Sequence, residues 1–178
     1  MHVSDFLAAA VQLTSGQDPE LNFNAAEEQI DLAARRGAEL IGLPENFAFM
    51  GEDSRRLELA PTLAEQSSRF LVTMARRYQV ALLGGGFPVP VGDGSRTLNR
   101  AELVDRDGML LGRYDKIHLF DVDLPDGNTY RESATVNQAG ICLRSLRFLV
   151  SARLGCPFAT TCGFLSSIAI SSVPAQTC

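Results

Sequence analysis

Apolar residues come in short, separated blocks through the first 115 positions, and the spacing within each block predicts its structure. Leu7-Ala8-Ala9-Ala10-Val11-Gln12-Leu13 reads as a buried strand ended by Thr14-Ser15-Gly16. Asp18-Pro19-Glu20 then supplies an N-cap, a proline at the first helical position and an acid in the first turn. Phe23, Ala26, Ile30, Ala33 and Ala34 fall on one side of the helix that follows, and Gly37 after Arg35-Arg36 marks its end. Leu40-Ile41-Gly42-Leu43 is a short strand running into Pro44-Glu45-Asn46-Phe47. A second helix is expected from Pro61 to Tyr78, with Leu63, Phe70, Leu71, Met74 and Tyr78 on its apolar side. Val80 to Leu83 reads as a strand closed by Gly84-Gly85-Gly86, and Gly92-Asp93-Gly94 as a turn. Arg100 to Val104 and Met109 to Tyr114 flank Asp105-Arg106-Asp107-Gly108, a hairpin pattern. Strand, helix, strand, helix, strand and then a strand pair is the order of an α/β layered domain.

From Ile141 onward the pattern changes. All 21 acidic residues precede residue 133, all four cysteines (Cys142, Cys156, Cys162, Cys178) follow it, and the only later charges are Arg144, Arg147 and Arg153. The pattern therefore divides the chain into an α/β domain over residues 1–140 and a tail over 141–178 that obeys different rules. Leu154 to Val173 is uncharged and long enough for a membrane span, but Pro157 and its many Ser and Thr residues argue against one. The net charge of -5 argues against nucleic-acid and anionic-membrane partners. The first residues carry no basic stretch ahead of the apolar run, so the expected location is cytoplasmic.

Two positions stand out chemically. Glu45 directly follows a buried strand, and strand ends of α/β sheets are where catalytic groups gather. A carboxylate there suits a general base, although the residues alone favour a plain surface glutamate. Lys116 is the sole lysine beside fifteen arginines, which is either chance or a position that needs a compact ammonium. Held near a carboxylate, such a group stabilises an oxyanion. His118 alternates with it and is either supporting or structural, while Glu132 reads as a loop acid.

Ala9-Ala10-Val11-Gln12-Leu13, Leu43-Pro44-Glu45-Asn46-Phe47, Gly84-Gly85-Gly86 and Tyr114-Asp115-Lys116-Ile117-His118-Leu119-Phe120-Asp121 together resemble the nitrilase, or carbon–nitrogen hydrolase, superfamily. The order and spacing are similar to its amidase-like Nit branch, and the similarity runs from about Leu7 to about Gly140. The resemblance implies the N-terminal half of an αββα sandwich that pairs into homodimers. It implies a Glu-Lys-Cys triad acting on a small amide or nitrile, without metal or cofactor. Glu45 then matches the general base, Lys116 the group that stabilises the tetrahedral intermediate, and Glu132 a second glutamate near the triad.

The third member of the triad is absent. The family's nucleophile stands in a segment like Cys-Tyr-Asp-x-Arg-Phe-Pro-Glu-Leu-Tyr-Arg, and Gly155-Cys156-Pro157-Phe158 does not resemble it. Back-translation of Phe158 to Ala169, read across codon boundaries, permits Cys-Tyr-Asp-Val-Arg-Phe-Pro-Glu-Leu-Tyr-Arg in order. The tail is thus expected to be a frame-shifted reading of the nucleophile region, the slip falling between about Ser133 and Cys156; a genuine frameshift and a sequencing error fit equally. The expectation is an amidase-like hydrolase left inactive in this form. The alternatives are a non-catalytic relic or a dimer partner of a full-length homologue.

Overall fold

The computed structural model describes residues 6–139. The tail from residue 141, with its cysteines and the apolar stretch from Leu154 to Val173, lies outside the described residues. A five-stranded sheet has its strands in chain order: β1 (Ala8–Ala10), β2 (Leu40–Gly42), β3 (Ala81–Val91), β4 (Arg96–Val104) and β5 (Leu110–Asp115). The first three are parallel, with helical crossovers α1 (Pro19–Arg35) and α2 (Asp53–Tyr78); β4 and β5 return antiparallel. Such a change from crossover to hairpin connections is what the loop lengths require, since parallel neighbours need a long return path. A small antiparallel hairpin follows, β6 (Asp121–Asp123) and β7 (Thr129–Arg131), and then a 3-10 turn over Glu132–Ala134.

The α1 boundaries are as the sequence predicts. Asp18 Oδ1 accepts from the N–H groups of Glu20 and Leu21 at 2.9 and 3.3 Å, with Pro19 leading the helix. Four expectations need correction. The opening strand spans only Ala8–Ala10 and is exposed to half-buried rather than buried, because it is paired with β2 alone at the edge of the sheet. Helix α2 begins at Asp53 rather than Pro61, so the proline lies inside it, where it offers no N–H to Leu57. β3 runs through Gly84-Gly85-Gly86 to Val91 instead of stopping at Leu83, and β4 begins at Arg96 rather than Arg100. Glycines that look like a strand end are there for close approach: a Cβ on Gly85 would lie 2.3 Å from the Pro44 carbonyl oxygen.

The core lies between the helices and the sheet. Ile30, Ile41, Leu43, Phe47, Leu63, Leu71, Leu82 and Val104 are buried there together, with Phe87. Phe47 is the hub of its aromatic part, its ring centroid 6.1 Å from Phe23 and 6.2 Å from both Phe70 and Phe87. Burial of these rings fixes the loop that leaves β2. Buried Asn22 on α1 ties the same loop down: its amide donates to the carbonyls of Ala48 at 3.0 Å and Gly16 at 2.8 Å, and accepts from the Gly16 N–H.

Candidate active site

Glu45 stands three residues past the end of β2, and two contacts with β3 determine where it points. Asn46, in the left-handed region at φ 59°, donates its N–H to the Gly86 carbonyl at 2.7 Å. The Pro44–Glu45 backbone meanwhile lies against Gly85 too closely for any side chain there. Lys116 follows β5, its N–H donating to the Asn99 carbonyl of β4 at 2.8 Å. Next to it, register partners Arg100 and Asp115 form a two-pronged ion pair at 2.7 and 2.9 Å, which fixes β5 against β4.

Glu132 reaches the site because the β6–β7 hairpin doubles the chain back. Its N–H donates to the Phe120 carbonyl at 3.2 Å, and the Phe120 N–H donates to its Oε2 at 2.6 Å. The residues beyond it lie along β4: Thr97 N–H donates to the Thr135 carbonyl, Asn137 N–H to the Thr97 carbonyl, and Val136 is buried. Arg56 of α2 adds a bond from its guanidinium to Thr135 Oγ1 at 2.9 Å.

The three side chains meet. Lys116 Nζ donates to Glu45 Oε1 at 3.2 Å and to Glu132 Oε2 at 2.8 Å, and the three are only 12 to 16% exposed. Burial works against the Glu132 charge. The bonds it accepts from Lys116, the Phe120 N–H and Asn99, together with the Lys116 charge, outweigh that and hold its carboxyl below the usual glutamate range. Glu45, Lys116 and Glu132 therefore share one cluster. His118 is exposed. One further member escaped sequence reading: Asn99, whose Nδ2 donates to Glu45 Oε1 at 2.5 Å and lies 3.4 Å from Glu132 Oε1. The available signal was an inward-facing polar pair, Thr97 and Asn99, at the alternating positions of a strand whose start is set too late by its apolar run.

A family model described as "Carbon-nitrogen hydrolase" matches residues 7–168. The chain belongs to the carbon–nitrogen hydrolase family. It is 55% identical over 132 residues to a deaminated glutathione amidase of Synechocystis sp., an alignment covering 74% of this chain and 48% of that protein. It is 32% identical over 135 residues to the human omega-amidase NIT2, covering 76% and 48%. The chain thus spans about half the length of the curated relatives it matches. Among solved structures it superposes on the C. elegans NitFhit protein with a TM-score of 0.68 at 30% identity, over 75% of this chain and 33% of that one. The α/β architecture is accordingly that of the nitrilase superfamily over three quarters of the chain. The family match runs to residue 168, past the Gly140 at which the sequence motifs give out. Among the described residues, no helix is long and apolar enough to cross a membrane.

Proposed function

We propose that this chain encodes the base-and-ammonium half of an amidase that cleaves a small ω-amide or carboxamide to acid and ammonia. The observation that carries the reading is the Lys116 ammonium held between Glu45 and Glu132. Glu132, kept ionised by the bonds it accepts, balances the lysine charge and aims the ammonium. Among the described residues the bonds to Glu45 fall on Oε1, and Oε2 is the atom assigned to accept the proton. In the complete site a cysteine thiol gives its proton to Glu45 as sulfur bonds the amide carbon, and Lys116 stabilises the oxyanion that forms. Glu45 then passes the proton to the departing nitrogen, and ammonia leaves as a thioester remains. Water attacks that thioester, again with Glu45 as base, and the acid and the free thiol are released.

The nucleophile is the missing part, and the chain as written stops short of the thioester step. The shifted reading of Phe158 to Ala169 permits a cysteine in the family's own context. The intact product is proposed to work as a homodimer, as the resemblance implies. The test is ammonia release from a panel of ω-amides, carboxamides and nitriles, by the chain as written and after restoring the frame between codons 133 and 156. Release only after restoration is expected. A restored protein that releases none defeats the hydrolase reading. Release by the unrestored chain, lost in Cys156→Ser, defeats the missing-nucleophile reading.

A further inference from the structure

Two carboxylates facing one ammonium leave a net negative charge, and Glu45 and Glu132 repel each other unless a third group intervenes. A cation in that place would tie up Glu45 as a base, and an acid would add a third negative charge. A primary amide is the neutral alternative: its NH2 carries two donors and no charge. Asn99 supplies such an amide. It is 5% exposed, it bonds Glu45 Oε1 at 2.5 Å, and its second donor faces Glu132 Oε1 at 3.4 Å. Its main-chain carbonyl holds the Lys116 N–H. All three charged members of the cluster are therefore referenced to one residue in the middle of β4.

The seat for this amide is built into the neighbouring strand. A Cβ on Gly86 would lie 1.7 Å from Asn99 Oδ1, so the side chain fits only because β3 carries glycine there. The same glycine accepts the Asn46 N–H, so the wall that receives Asn99 also anchors the Glu45 loop.

We propose that Asn99, seated on Gly86, is a positioning residue that holds Glu45 and Glu132 apart at fixed places around Lys116. This rests on the hydrolase reading of the cluster, and the experiment separates the two. Lys116 is the sole lysine, so the chain grown with isotope-labelled lysine and methyl-labelled methionine gives a single lysine side-chain signal by nuclear magnetic resonance, with the assigned methyl of buried Met74 as a fold reference. In Asn99→Ala and Asn99→Asp the Lys116 signal is expected to move and its ammonium protons to exchange about tenfold faster, the equivalent of one hydrogen bond to a charged group, with Met74 unmoved. Glu45→Gln is expected to move the Lys116 signal as well. If it does while both Asn99 variants leave exchange within about twofold, the positioning role is wrong and the site stands. If Lys116 moves only together with Met74, Asn99 is merely structural and the proposal also falls. If Glu45→Gln leaves Lys116 unmoved, the ion-paired site itself is refuted, and the role of Asn99 with it.

Discussion

Lys116 lies 2.8 Å from Glu132 but 3.2 Å from Glu45, so its shorter carboxylate bond goes to the residue that carries the least obvious sequence signal. The Phe120 N–H adds to that bond on Glu132 at 2.6 Å, while Asn99 lies nearer Glu45, at 2.5 Å, than Glu132, at 3.4 Å.

A pH dependence follows from the lowered Glu132 carboxyl. Its folded value lies below the reference 4.5, so the stability it contributes is fully present above about 4.5 and is lost as the pH falls through the folded value. Glu132→Gln removes that contribution. Urea midpoints are expected to favour the parent chain over the variant at pH 7 and to converge as the pH falls through the lowered value of the Glu132 carboxyl. A gap that is unchanged or wider in acid would refute this account.

The β3 glycines should differ in tolerance according to what stands opposite. A Cβ on Gly85 meets Pro44 and Glu45 backbone, which cannot step aside; one on Gly84 meets the end of the Leu71 side chain, which can shift. Gly85→Ala is therefore expected to cost more than Gly84→Ala, about 1–3 kcal/mol being usual for overpacking. Gly16→Ala, with open space around it, should change little. Thermal denaturation of the three variants provides the ranking, and equal losses would disprove it.

The loop that carries Glu45 depends on Phe47, fully buried among three other rings. Phe47→Ala is expected to cost about 3–5 kcal/mol, as for other buried aromatics, and to move the Lys116 signal because Glu45 loses its anchor. Phe47→Leu, which keeps most of the apolar volume, should lose clearly less. Equal losses would mean that the ring cluster does not determine the loop.

The parts of this fold that local chemistry specifies were readable in advance. Asp18-Pro19 at the start of α1, the apolar runs of β2 and β5 and the Asp105–Gly108 turn all announce themselves within a few residues. What was not readable depends on partners distant in sequence. Pro61 and Gly84-Gly85-Gly86 look like interruptions, yet α2 continues because its long apolar face packs on β3 and β4, and β3 continues because Pro44 and Asn99 require the room its glycines leave. Glu45 and Lys116 could be found by motif because Lys116 directly follows β5 and Glu45 lies three residues beyond β2, both strands of the central sheet. Asn99 could not, since its role exists only once β3 and β4 pair and bring Gly86 beneath its side chain. Glu132 acquires its partners through a hairpin of two three-residue strands, too short to show a period in the sequence.

The chain's lone lysine provides the sharpest test of the chemistry. Arginine keeps the positive charge but spreads it over a planar fork of five donors, whereas the observed site aims one compact ammonium at one oxygen of each carboxylate. In the frame-restored protein, Lys116→Arg should leave the fold intact, because the charge that balances Glu132 remains. It should lower kcat for amide hydrolysis by about 10²–10³, the usual consequence of losing an oxyanion donor, with less change in KM, because the ammonium acts on charge that appears only as the carbonyl is attacked. An arginine variant with kcat within about threefold of the parent would show that position 116 needs only a positive charge, and the role given to Lys116 in the transition state would have to be withdrawn.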